Sequence, residues 1–387
     1  MKRNLFWIKW DYFFGGLWPL SPLVIVYFKA ITGSYATAMA VFSVASISTL
    51  LFEVPSGVFS DFWGRKKTLF ICGVLSVLCG FLWALAGTLD MTFLLFLGAL
   101  CMGMSDAFLS GTDEALMYET MENLGKKDGF GSFFAEACQW NQVGLALSAF
   151  VGGFIVYFYS LQALAWVSVI PMFLGFLTIC FLVEPRRTQP AKKKPIKHCW
   201  EAIRWLVKNK KLRFFSAIQV IYGATCFPIK RLEGAYFERL LPMWLVNGVS
   251  FFTQIISFVG FKIAAGIKKS KYLSWLSCAF FGNGIFYLMG LMINTVISPF
   301  IMVISQLFYG PITMIETDIL QQEFSETERA TLKSLLSLME KILSSLLFVG
   351  VGLMADCFSP IMALVVIVFV RIVLGGIIFM YKKSCHF

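Results

Sequence analysis

The sequence predicts an all-α integral membrane protein, with twelve transmembrane helices in two six-helix bundles related by an internal repeat. Three observations predict it. Of 387 residues, 58% are hydrophobic and only 14% are charged, and the mean hydropathy is +0.76, whereas a soluble domain carries about a quarter charged residues. Apolar runs long enough to cross a bilayer recur along the whole chain. Basic residues concentrate in alternate loops. This composition excludes a soluble globular enzyme, a disordered chain and a disulfide-rich secreted module. Twelve spans of ~21 residues use roughly two-thirds of the chain, which leaves no room for a large soluble catalytic domain.

The first six runs fall at 11–30, 37–59, 68–88, 91–118, 131–157 and 160–183. The second six fall at 213–232, 243–266, 272–292, 295–322, 331–355 and 359–381. The first follows Lys2, Arg3 and Lys9. It is too long for a signal h-region and lacks a small-residue cleavage site, so it reads as a retained span. The fourth and tenth are the polar ones. The seventh contains Pro228, followed by Lys230, Arg231 and Glu233, so a break near its end is expected.

With both termini in the cytoplasm, the inside segments hold 26 of the 33 Lys and Arg, against 4 outside and 3 within spans. This bias supports that orientation and an even span count. It also accounts for the net charge of +11. Charges split among inner loops serve topology and anionic headgroups rather than nucleic acid. Ten scattered cysteines with no C-x-x-C pair read as inert thiols. Two histidines, His198 and His386, make a His-based metal site improbable. No phosphate-binding G-x-x-x-x-G-K-[ST] run occurs, so no ATP-driven pump is encoded. No cofactor is expected.

Residues 1–183 form the N-terminal bundle and 213–387 the C-terminal bundle. Between them, 184–212 is a basic linker that opens Glu184-Pro185-Arg186-Arg187. From Trp200, apolar residues alternate with Lys and Arg at helical spacing, as in an interfacial helix. At an offset of 199, Gly111 maps to Gly310 and Gly153 to Gly352. At 202, Gly64-Arg65-Lys66-Lys67-Thr68 faces Gly266-Ile267-Lys268-Lys269-Ser270. The common order points to a parallel duplication, which would put a substrate cavity between two similar bundles.

The loop between spans 2 and 3 reads Gly57-Val58-Phe59-Ser60-Asp61-Phe62-Trp63-Gly64-Arg65-Lys66. It resembles the major facilitator superfamily signature G-x-x-x-D-x-x-G-R-[RK], with Gly57, Asp61, Gly64, Arg65 and Lys66 all in place. Arg329-Ala330-Thr331 before span 11 is similar to that family's R-A-T start. The resemblance implies a gate: Asp61 opposes the helix end of span 11, and Arg65 pairs with a carboxylate of span 4. Asp113 is the candidate carboxylate, with Glu114 and Glu119 as rivals. The second half has Ile267 in place of the arginine, so gating should be asymmetric. Span 5 carries Gly144, Ser148, Ala149, Gly152 and Gly153, similar to a degraded antiporter pattern, but these spacings also serve helix packing. Span 4 lacks the basic residue of many drug antiporters.

Ionisable residues inside the bilayer are expensive and hence candidates for function. Span 4 places Asp106, Ser110, Asp113 and Met117 on one helical face. Span 5 adds Glu136, Gln139 and Gln142. Glu316 lies in span 10, Glu340 and Lys341 in span 11, and Arg371 in span 12. A desolvated carboxylate can carry a proton near neutral pH, which suits Asp106, Asp113, Glu136 and Glu340. Alternatively, Lys341 or Arg371 neutralises Glu340 or Glu316 in a static bridge.

The expected function is a secondary active transporter of the cytoplasmic membrane, working as a monomer by alternating access. It would export a small amphipathic or drug-like compound in exchange for protons. Proton-coupled uptake of a small metabolite is the alternative, with Lys230, Arg231 or Lys341 holding an anion. A non-transporting sensor on the same fold is a third reading. The partners are then a small-molecule substrate, protons and the lipid bilayer.

Overall fold

The computed structural model describes residues 1–126, 129–186, 204, 206–323 and 329–384, with no strand among them. The expected interfacial helix from Trp200 lies mostly outside the described residues. Twelve helical stretches are long and apolar enough to cross a membrane. The chain divides into two compact units, Met1–Lys192 with Met243–Gly248, and Lys193–Pro242 with Val249–Phe387.

In the first unit, α1 (Lys2–Gly16), a 3-10 turn (Ser21–Leu23) and α2 (Val24–Thr32) make the first span. They are followed by α3 (Tyr35–Trp63), α4 (Arg65–Leu89), α5 (Thr92–Leu109), α6 (Thr112–Asn123), α7 (Phe130–Phe158) and α8 (Leu161–Cys180). Ser34 caps α3 by accepting from the Thr37 amide at 3.2 Å. Pro19 cannot continue a helix, and α1 ends just before it. Span 4, expected as one helix, is interrupted at Ser110-Gly111, where Gly111 takes φ +71°. The interruption frees the Ala107 carbonyl that the Gly111 amide would have taken. Ser56 of α3 donates to it at 2.8 Å, which replaces the lost bond.

The second unit contains α9 (Lys210–Glu238), α10 (Met243–Ala265) from Val249 onward, α11 (Tyr272–Ile293), α12 (Ser298–Ile304), a 3-10 turn (Ser305–Phe308), α13 (Tyr309–Glu323), α14 (Arg329–Cys357) and α15 (Pro360–Ser384). The expected break at Pro228 does not occur. The helix α9 runs through it, and Lys230 and Arg231 lie inside that helix rather than in a loop. Neighbouring helices let a membrane helix absorb the missing N–H. The core gathers Leu212, Phe215 and Tyr222 of α9 around Leu276 and Phe280 of α11 and Leu336 of α14.

In the first unit α1 packs on α7 and α8, while α4 and α5 pack on each other and on neighbouring helices. The α1–α7 crossing is a backbone contact. A Cβ at Gly144 would collide with the Phe13 carbonyl, and one at Gly16 with the Asn141 carbonyl. Small residues permit such crossings where lipid supplies no hydrophobic drive. The packing role weighed for Gly144 is therefore visible in the structure. Gly144→Val should destabilise the fold by ~1–3 kcal/mol. Thermal melting of the purified protein checks this, and an unchanged midpoint contradicts the close crossing.

Candidate functional site

Gly64 separates α3 from α4 at φ +106°, a conformation that favours glycine. A Cβ there would fall on the Glu184 carboxylate. That carboxylate accepts from the Arg65 and Lys66 amides, both at 2.7 Å, and so caps the N-terminus of α4. The Arg65 side chain then spreads over three acceptors. Its Nε reaches Glu119 Oε1 at 3.2 Å, and one terminal nitrogen reaches Ser60 Oγ at 2.6 Å and Asp61 Oδ1 at 3.2 Å. Thr112, at the start of α6, donates to the same Ser60 oxygen at 3.3 Å. Loop 2–3 is thus tied to α6 and to the segment after α8. The span-4 partner of Arg65 is Glu119 and not Asp113. Gly57 faces open space and makes no close approach.

Asp113 has another neighbour. Tyr12 of α1 donates to its Oδ2 at 2.8 Å. Both line a cavity of ≈ 350 Å³ inside the first unit, together with Asp11 and Asp106. Trp18 and Trp83 form part of its wall, stacked at 5.9 Å. Asn141 anchors that wall by donating to the Tyr12 carbonyl at 2.9 Å. Glu136 does not line the cavity, and it pairs with Lys9 at 2.5 Å. Gln139 and Gln142 are exposed and away from the cavity.

In the second unit, Arg371 is 4% exposed. It donates to Asn283 Oδ1 at 2.7 Å and to Cys226 Sγ at 3.3 Å, and its guanidinium lies 5.1 Å from the Tyr222 ring centroid. Glu316 is 2% exposed, and its Oε1 has no hydrogen-bond partner among the described residues. The Glu340 carboxylate rests on Gly223 of α9, where a Cβ would displace it. The expected bridges from Arg371 to Glu316 or Glu340 are absent among the described residues, because Arg371 is spent on neutral acceptors. Lys341 sits beside Glu340 in α14. Tyr287 donates to Glu233.

Sequence reasoning missed Asp11, Tyr12, Glu184 and Asn283 as site residues. Asp11 sat at the first position of a counted span. Glu184 stood at the start of a polar linker, four residues after the end of α8. Asn283 carries no charge to attract notice.

A profile of the Major Facilitator Superfamily matches residues 12–348. The MFS-type transporter YxaM of Bacillus subtilis (strain 168) is 24% identical over 218 residues. That match covers 54% of this chain and 51% of the relative, so it spans about half of each. Among solved structures, the nucleoside transporter NupG superposes with a TM-score of 0.76 at 16% identity over 98% of both chains. A bacterial homologue of the lysosomal transporter Spinster gives 0.74 at 11% identity, over 98% of this chain and 96% of that one. The POT family transporter PepTSo gives 0.74 at 10% identity, over 99% and 98%.

Glu184→Ala removes both caps from α4 and should cost about 1–2 kcal/mol. Its melting midpoint should fall further than that of Asp113→Asn, which loses a single tyrosine contact. A midpoint equal to wild type would contradict the capping role.

Proposed function

We propose that this chain, which belongs to the Major Facilitator Superfamily and is a multi-pass membrane transporter, exports a small amphipathic compound in exchange for protons. Alternating access in the cytoplasmic membrane, with both termini inside, completes the reading. The observation that carries it is a set of acidic groups in the spans with no cationic partner. Asp113 and Glu316 make no ion pair among the described residues. A carboxyl removed from water with no cation beside it takes up and releases protons at a cost that its surroundings set. Such groups suit a coupling path, whereas Glu136, already neutralised by Lys9, suits a structural one.

The Arg65 network supports a gate at the inner end of the first unit. It joins three segments through a half-buried guanidinium, so breaking it releases all three together. An anionic substrate is less well served, because no Lys, Arg or His lines the first unit's cavity among the described residues.

The test uses inverted membrane vesicles and a pH-sensitive dye. Its panel holds lipophilic cations, amphipathic drugs, amino acids, sugars and small organic anions. Nucleosides and peptides join it, since NupG and PepTSo are named for nucleoside transport and the POT family. Dye recovery is expected on adding an amphipathic compound. It should be lost, by about tenfold or more in rate, in Asp61→Asn and in Glu316→Gln. Wild-type recovery in both variants would overturn the gate and the coupling role. Recovery with a metabolite alone would reverse the direction to uptake.

A further inference from the structure

Two carboxylates hold Arg65. Glu119 of α6 takes its side chain at 3.2 Å, and Glu184, in the segment after α8, takes its amide at 2.7 Å. The two acids come from separate elements, so a joint grip on one residue requires those elements to keep a fixed spacing. A buried amide in α1 spans them. Asn4 is 0% exposed. Its Nδ2 donates to the Val183 carbonyl at 2.8 Å and to Thr120 Oγ1 at 3.2 Å, and its Oδ1 accepts from the Val183 amide at 2.9 Å. Val183 directly precedes Glu184, and Thr120 directly follows Glu119. One side chain therefore touches the chain neighbour of each acid.

The chemistry of an asparagine suits this task. A side-chain amide carries a donor and an acceptor side by side, so it takes both the N–H and the C=O of one residue, as a neighbouring antiparallel strand would. The second hydrogen of the same NH2 group reaches α6. An ionised aspartate in its place would donate to neither partner. An aliphatic residue would leave the Val183 peptide groups unpaired away from water, which is costly. Asparagine is a poor helix former, so α1 gains nothing from it locally. Other contacts secure the flanks of the segment after α8. Arg3 donates to the Phe181 carbonyl at 2.9 Å, the Trp7 ring stacks on Phe181 at 4.6 Å, and Asn123 of α6 donates to the Arg186 carbonyl at 3.0 Å.

We propose that Asn4 is a positioning residue of the loop 2–3 gate: its amide sets the spacing at which Glu119 and Glu184 close on Arg65. The proposal rests on the gate reading above and adds to it a residue of α1 that lies outside the loop 2–3 motif. Asn4 acts on Arg65 through Val183 and Glu184 on one side, and through Thr120 and Glu119 on the other. By holding their neighbours, it lets the two acids release Arg65 and meet it again without re-ordering the segment after α8. With Asn4 lost, Glu184 should leave the N-terminus of α4 more often, and the first amides of that helix should open to water. Those amides have no partner inside the helix, so their protection reports the two bonds to Glu184.

The test is hydrogen–deuterium exchange at the Arg65 and Lys66 amides, read by mass spectrometry on the purified full-length protein in detergent. In Asn4→Leu their exchange should quicken about tenfold, towards that of Glu184→Ala. Combining the two substitutions should quicken it no further than Glu184→Ala alone, since Asn4 acts on these amides through Glu184. The Thr37 amide, bonded to Ser34 at the opposite end of α3, should exchange as in wild type. An equal rise at Thr37 would mark a general loss of stability and overturn the positioning role. Wild-type exchange at Arg65 and Lys66 would overturn it too, and would leave the gate reading standing. Asn4→Ser, whose hydroxyl is too short to span both partners, gives the same comparison if the leucine variant fails to fold. In the vesicle assay, Asn4→Leu should slow dye recovery about tenfold with the compound that drives the wild type. Quickened exchange with wild-type recovery in Asn4→Leu and Asp61→Asn alike would sink the gate reading and leave the spacing of the two acids to Asn4.

Discussion

The structure depends on one constraint: an ionisable or polar group placed in hydrocarbon must find its partners inside the protein. An uncompensated charge there costs several kcal/mol. The chain meets that demand in three ways. Lys9 and Glu136 cancel each other directly. Asp11, Asp106 and Asp113 open onto a cavity. Arg371 takes neutral partners, the Asn283 carbonyl oxygen, the Cys226 sulfur and the Tyr222 ring face. The third solution engages both terminal nitrogens without removing the positive charge, so the field of Arg371 still reaches other groups in the second unit. A carboxylate partner would have fixed it as a neutral pair.

The same constraint shapes the helix interruptions. Breaking a membrane helix releases carbonyls that lipid cannot bond. At the α5–α6 break, Ser56 supplies a hydroxyl to Ala107. Ahead of α13, where the backbone tightens to a 3-10 turn, Asn283 donates its amide to the Ser305 carbonyl at 3.0 Å. Its oxygen faces Arg371. One uncharged residue thus repairs the backbone of one helix and holds the guanidinium of another.

What the sequence could tell depended on length scale. Twelve spans were legible because hydropathy is summed over about twenty residues, and the expected runs lie on twelve helical stretches of the structure. The interruptions were not, since Ser110-Gly111 is a two-residue event inside an apolar run. Pro228 gave the opposite error: a residue that breaks soluble helices sits inside an unbroken α9. The loop 2–3 residues were legible as a motif, and the structure gathers Asp61, Gly64 and Arg65 at one place. Their partners were not. Asp113 was the candidate, with Glu114 and Glu119 as rivals, and the partner is Glu119; the break after α5 resets the phase of α6. Glu184 lies 119 positions from Arg65, and only the folded unit brings them together.

The two units are not equivalent at their loops, one being held by a shielded ion network and the other by an exposed pair. In the second unit, the counterpart loop offers Lys269, which reaches Asp318 of α13 at 3.5 Å with the lysine side chain 69% exposed. An exposed pair of this kind contributes about 0–1 kcal/mol and is screened by salt. In the first unit, the Arg65 side chain is 19% exposed and Glu119 15%. The guanidinium bonds two carboxylates and a hydroxyl, and a third carboxylate holds the backbone at the same point. Charge-assisted bonds shielded from water are about twice as strong as neutral ones, and a shared donor makes them break together. A conformational change at the first unit must therefore cross a cooperative step, while the second unit's loop yields gradually.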